Sequence, residues 1–147
     1  MGYQAHKIID HLFQGGFPPP GDGLANAGID VLVLAAANHQ DASLYPGVTV
    51  ICAPGDDDSR RHRLDRFIDG WRSAAMQVVE HVKAGRNVLV TCMAGQNRSG
   101  LVTALALREL TGWSGKRCVE HISRQRPHAL NNATFANYIC ECYPNDK

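Results

Sequence analysis

Residues Cys92-Met93-Ala94-Gly95-Gln96-Asn97-Arg98-Ser99-Gly100 place a thiol and a guanidinium in one short segment, with five residues between them. The stretch before it, Asn87-Val88-Leu89-Val90-Thr91, is apolar and strand-like, and the segment after Arg98 is apolar and helix-like. A loop between such elements can curl its backbone amides, here those of residues 93–98, around an oxyanion. The following helix points its positive end at the same spot. The Arg98 fork can hold two phosphate oxygens. A thiol set beneath that concentration of positive potential is expected to lose its proton readily and act as a nucleophile. The spacing therefore nominates Met93, Ala94, Gly95, Gln96, Asn97 and Arg98 as phosphate-binding residues and Cys92 as the nucleophile. The Lys-Ser/Thr pair of a nucleotide-binding P-loop is missing.

Three other groups bear on this chemistry. Asp56-Asp57-Asp58 follow a strand-like run and precede Cys92 by some 35 residues. They read either as a solvated turn or as the source of a proton, since neighbouring like charges raise one carboxyl's pKa. Ser99 reads as a helix-start serine, and Gly95 and Gly100 as positions of close backbone approach. Arg60, Arg61, His62, Arg63 and Arg66 cluster beside the acidic run. They form either the wet face of the next helix or a docking patch for an acidic peptide or a second phosphate.

The elements that must position these groups alternate. Apolar runs near 8–13, 30–35, 48–53 and 87–91 read as strands, the last two as central ones. Asp22 is placed to cap a short helix ending near Gly28. Leu64, Phe67, Ile68, Trp71, Ala75, Val78, Val79 and Val82 follow helical spacing, with Gly85 as a stop. Residues 99–111 are apolar on nearly every side, as in a buried helix that Gly112 ends. Ser114 starts another helix to about Arg124, and Asn131 or Asn132 starts the last, to about Cys142. The pattern predicts an α/β fold with a central, mostly parallel sheet flanked by helices on both faces. The phosphate loop lies between a central strand and the buried helix, at a strand's carboxyl end, where such sheets bind ligands.

Cys-x5-Arg-Ser resembles the phosphate loop of the cysteine-based protein tyrosine phosphatases, and the chain is similar to their small dual-specificity branch. Leu12-Phe13-Gln14-Gly15-Gly16-Phe17-Pro18 resembles the opening strand and turn of these domains, and Ala53-Pro54-Gly55-Asp56-Asp57-Asp58 their general-acid loop. Arg124-Gln125-Arg126-Pro127 and Asn132-Ala133-Thr134-Phe135 resemble their closing helices. The resemblance spans roughly residues 8–140 and implies one catalytic domain over 1–147. It implies a phosphocysteine intermediate on Cys92, phosphate binding by Arg98, and leaving-thiolate stabilisation by the Ser99 hydroxyl. The aligned proline, Pro54, makes Asp57 the general acid, with Asp56 the alternative. Thr91 stands where the family has a histidine. Gln96 and Asn97 are neutral where phosphoinositide-directed members carry lysines. Asn132 reads as a loop brace or helix cap. Cys52 reads as a core cysteine, with a protective disulfide to Cys92, of the kind some relatives form, as the alternative.

The implied activity is hydrolysis of phosphotyrosine, and of phosphoserine or phosphothreonine, in a phosphorylated protein or peptide. Phosphate or sulfate would occupy the loop, and no metal or cofactor would be needed. Gly95-x-Asn97-Arg98 also resembles the loop of cysteine-type RNA 5′-triphosphatases, a second reading that brings nucleic acid in as a partner. A non-catalytic phosphate-binding module is a third, resting on Thr91 alone.

Bulk properties are those of an ordinary globule. The chain has 147 residues, 44% hydrophobic and 20% charged, with net charge +1, so no global electrostatic partner follows. No apolar run approaches the ~20 residues of a membrane span. Residues 1–7 lack a signal-peptide apolar core, and His6 occupies the Ser/Thr position of the myristoylation motif that Gly2 would begin. Five cysteines, an odd number, suit a reduced, cytoplasmic protein better than a disulfide framework. Cys140 and Cys142 are too few for a closed zinc site and read as helix-end residues.

Overall fold

Alternation of Val and Leu along two strands sets the architecture. Strands β3 (Val31–Leu34) and β5 (Val88–Thr91) are buried at every position. Successive side chains leave opposite faces of a strand. Val31, Val33, Val88 and Val90 accordingly join one core, and Leu32, Leu34 and Leu89 a second on the other face. A computed structural model describes residues 3–147; Met1 and Gly2, and with them the myristoylation reading, lie outside the described residues.

Five strands run in the order β1-β2-β5-β3-β4, with β1 (Ala5–Ile9), β2 (Leu12–Gly15) and β4 (Thr49–Cys52) completing the set. Strands β2, β5, β3 and β4 are parallel neighbours, and β1 pairs antiparallel with β2. The parallel core matches the expected fold, with two local corrections. The run near 8–13 is a hairpin rather than one strand. His11 turns the chain at φ 69, and the Asp10-His11 pair carries little of the Asn-Gly signal that marks such turns. The run near 48–53 is an edge strand, with Thr49 and Cys52 exposed; β3, not β4, shares the centre with β5.

Helices lie on both faces, unequally. The main face carries α2 (Arg61–Lys83), α3 (Arg98–Thr111), α4 (Gly115–Gln125) and α5 (Ala133–Cys142). The other is covered by the single turn α1 (Gly23–Asn26) and two 3-10 turns at 37–39 and 42–44. Asp22 stands at the N-cap of α1, but its side chain makes no capping bond. Helix α3 is buried from Ser99 through Leu107 and stops at Gly112, which takes the left-handed conformation with φ 76. Ser114 caps α4 through the Arg117 amide. Asn132, not Asn131, caps α5.

Trp71 of α2 joins this core to the site. Its ring is fully buried, packs edge-on against Phe135 at 5.6 Å, and donates its indole N–H to the Ala35 and Ala53 carbonyls. Those carbonyls follow β3 and β4, so one side chain ties two carboxyl-end loops to the helix layer. Truncation leaves a cavity in a close-packed layer. Trp71→Ala is expected to cost ~3–5 kcal/mol of unfolding free energy; urea denaturation checks this, and a loss below about 1 kcal/mol would contradict it.

Candidate active site

Strand β5 ends at Thr91, and Cys92 follows at its carboxyl end, 2% exposed. The chain then loops through residues 93–97 into α3. The loop's carbonyls are engaged from outside. Met93 O accepts from the Phe17 amide at 3.0 Å, and Gln96 O from the Leu130 amide at 3.0 Å. Ala94 O accepts from Arg126 Nη2 at 3.2 Å. Gly95 O accepts from Arg126 Nε at 2.6 Å and Gln14 Nε2 at 3.0 Å. With the carbonyls turned outward, the amides are free to face inward. Among the described residues none of the amides of residues 93–98 donates to a protein acceptor. Asn97, the N-cap of α3, makes no side-chain capping bond either, so the first turn of α3 keeps its unsatisfied donors.

Gly95 is needed for its lack of a side chain. Its φ is +72, and a Cβ there would lie 2.5 Å from Gly15 C and Gly16 N. Loop and β2–β1 hairpin thus meet backbone to backbone. Gln14 lies beneath, fully buried in β2, and Gly100 leaves room beside it. The guanidinium of Arg126 also contacts His6 Nδ1 through Nη1 at 2.8 Å. Gln14 and Arg126 stand within family-like motifs of the sequence, but neither role is assigned there. A polar residue at an inward strand position was the available signal for Gln14.

The reactive groups converge. Cys92 Sγ and Ser99 Oγ share a hydrogen bond at 3.2 Å; with a thiolate the serine hydroxyl is the donor. Arg98 donates Nη1 to the Gly55 carbonyl at 3.2 Å, while its Nε is buried with no acceptor among the described residues. Burial pushes the thiol of Cys118, in α4, up to about 11, as befits a packing residue. Thr91 is buried too. Its hydroxyl donates to the Val33 carbonyl at 2.8 Å and accepts from Gln40 Nε2 at 3.1 Å. It therefore ties strand to strand, not to a carbonyl of the phosphate loop.

The three aspartates are sorted by their partners. Asp58 pairs with Arg60, whose hydrogen bonds hold its carboxyl well below the usual range. Asp56 pairs with Arg63 and accepts from Asn38 Nδ2. Asp57 has no cation partner among the described residues. Its Oδ2 accepts from Asn97 Nδ2 at 2.9 Å and its Oδ1 from Asn132 Nδ2 at 2.8 Å. The expected mutual repulsion is thus dispersed into arginine pairs. The same pairs answer the docking-patch reading: Arg60 and Arg63 brace the acidic loop, and Arg61 pairs with Asp65 and Glu141. Gly55 packs so closely on Trp71 that a Cβ would lie 2.0 Å from the ring.

Cys52 is exposed, not a core cysteine, and all five cysteines are free. Leu34 pairs with both Cys52 and Thr91, so two strand spacings, ~10 Å, separate β4 from β5. A disulfide needs Cα atoms within about 7 Å, so a bond to Cys92 would require backbone movement. Among the described residues no group of three or more His, Cys, Asp or Glu is placed to hold a metal ion, and no helix is long and apolar enough to cross a membrane.

Comparison with known proteins bears on this geometry. The family model described as "Dual specificity phosphatase, catalytic domain" matches residues 20–145. Dual specificity protein phosphatase 22-B of Danio rerio is 21% identical over 141 residues, covering 96% of this chain and 75% of its own. Among solved structures, a mouse putative dual specificity phosphatase complexed with zinc tungstate superposes with TM-score 0.81 at 24% identity, covering 98% of this chain and 89% of that one. Human DUSP28 superposes with TM-score 0.77 at 24% identity, covering 94% of each.

Gln14→Leu removes a donor from the Gly95 carbonyl but also a buried oxygen, Oε1, that has no partner among the described residues. Thermal stability is expected to hold or rise, while the dissociation constant for inorganic phosphate, read by calorimetry, rises about 10-fold, the scale of one lost hydrogen bond. Unchanged phosphate affinity would contradict the role given to Gln14.

Proposed function

The chain belongs to the dual specificity phosphatase catalytic domain family, and on that footing we propose that it hydrolyses phosphomonoesters on proteins or peptides through Cys92. The observation that carries the reading is the Cys92 thiol, hydrogen-bonded to Ser99 at the foot of a loop whose carbonyls are all engaged on its outer side. In the first step the thiolate attacks phosphorus, the bond to the leaving oxygen breaks, and Asp57 gives that oxygen its proton. In the second, water attacks phosphorus and yields a proton to the Asp57 carboxylate. The S–P bond then breaks, with the Ser99 hydroxyl stabilising the departing thiolate. Arg98 and the amides of residues 93–98 hold the phosphoryl oxygens throughout, as donors fixed before the charge develops.

Asp57 is preferred to Asp56 because Asp56 is committed to Arg63. A phosphopeptide is preferred to a 5′-triphosphate RNA because Arg60, Arg61 and Arg63, three of the four arginines beside the acid loop, are paired with carboxylates. No step calls for a metal or cofactor. A tetrahedral oxyanion such as tungstate, phosphate or sulfate fits the donor set. The unit acting is the single domain over 1–147, and the unpaired thiols support a reducing, cytoplasmic setting.

The test is steady-state turnover of a phosphotyrosine peptide, a phosphoserine peptide and a 5′-triphosphate RNA in EDTA. Cys92→Ser is expected to abolish peptide turnover while retaining peptide binding, and Asp57→Asn to lower kcat by ~10²–10⁴. Turnover surviving Cys92→Ser would overturn the mechanism. RNA turnover that needs Cys92 but not Asp57 would move the protein to the triphosphatase class.

A further inference from the structure

We infer that Asn97 and Asn132 are positioning residues that clamp Asp57 over the phosphate loop, so that the loop and its proton donor form one rigid unit. This rests on the reading of Asp57 as the acid. Asn97 belongs to the phosphate loop itself and is 5% exposed. Its Nδ2 donates to Asp57 Oδ2 at 2.9 Å and to Asn131 Oδ1 at 2.8 Å, and its Oδ1 accepts the Asn132 amide at 2.8 Å. Asn132 Nδ2 donates to Asp57 Oδ1 at 2.8 Å and to the Asp58 carbonyl at 3.2 Å. Its Oδ1 meanwhile caps α5 through the amides of Thr134 and Phe135. Thr134 Oγ1 donates to the Ser59 carbonyl, and Arg98 Nη1 to that of Gly55. The acid loop is thus gripped at Gly55, Asp57, Asp58 and Ser59 by α5 and by the phosphate loop.

Two asparagines suit this task better than cations would. An amide donor orients a carboxylate without the full ion pair that an arginine forms with Asp56 and Asp58. Asn97 gives up the helix-capping role common at its position, and its side chain is spent on Asp57 instead. Each carboxylate oxygen has one amide donor, so the carboxyl plane is fixed relative to Cys92 and Arg98.

In the first chemical step the clamp acts through the proton that Asp57 delivers to the leaving oxygen, and kcat/KM reports steps only up to phosphocysteine formation, which yields a signature that loop damage does not share. Wild type, Asn97→Ala, Asp57→Asn and the double variant would be compared on a phosphotyrosine peptide and on para-nitrophenyl phosphate, whose nitrophenolate leaves without a proton. Asn97→Ala is expected to lower kcat/KM on the peptide ~10–100-fold, the scale of a lost positioning hydrogen bond, and on para-nitrophenyl phosphate markedly less. Adding it to Asp57→Asn is expected to cost nothing further, because the two residues act as a unit. Asn132→Asp keeps the oxygen that caps α5 but replaces the donor with a carboxylate. It should fold as wild type and reproduce the peptide-selective loss. Equal losses on both substrates, or losses that add to those of Asp57→Asn, would overturn the clamp and leave the phosphatase reading standing. Asp57→Asn affecting neither substrate would overturn both the clamp and the assignment of the acid. Turnover by Cys92→Ser would fail the phosphatase reading itself.

Discussion

A backbone carbonyl and its neighbouring amide point in opposite directions, so a loop can aim its amides at an oxyanion only if its carbonyls are satisfied elsewhere. The rest of the site depends on that constraint. Each carbonyl from Met93 to Gln96 is taken up outside the loop, by the Phe17 and Leu130 amides, by Arg126 and by Gln14. Leaving a buried carbonyl such as that of Gly95 unpaired would cost about 1–3 kcal/mol, a large share of a small domain's stability. The residues that meet this demand come from the hairpin and from the turn after α4. Hairpin and closing helices are therefore as much part of the phosphate loop as Cys92 and Arg98.

The second half of the site is built by a similar division of labour. The acid loop has three adjacent carboxylates, and the fold separates them by giving two to arginines and one to asparagines. Behind it, Trp71 fills the space beneath Gly55 and binds the Ala35 and Ala53 carbonyls. The buried helix α3 presents its amino end to the loop, while its sides carry the main core from Ser99 to Leu107. Stability and chemistry are joined in the same helix.

Much of this was legible in the sequence, for reasons particular to each element. The strand–Cys–Gly–Arg–helix order specifies the loop because few other arrangements need a thiol and a guanidinium at that spacing. Ser114 was readable as a cap, and the last cap as Asn131 or Asn132, because capping is local; Gly112 was readable as a stop because glycine takes the left-handed conformation that ends the helix. What stayed hidden depends on contacts distant in sequence. Gln14 lies 81 residues from Gly95, and Asn97 lies 40 from Asp57. The hairpin at Asp10-His11 was missed because its turn residues carry a weak signal. The edge position of β4 was missed because strand order is set by topology and not by local hydrophobicity. The distance of Cys52 from Cys92 was hidden for the same reason.

The central claim is that Cys92 bonds to phosphorus within this loop. Its most direct measurement is rapid acid quench of the wild-type protein during turnover of a phosphotyrosine peptide, followed by peptide mapping by mass spectrometry. The account predicts one added phosphoryl group on the peptide containing Cys92, formed at the rate of substrate dephosphorylation and absent from every other cysteine. Turnover that proceeds with no phosphoryl group trapped on Cys92, or with one on another side chain, would contradict it.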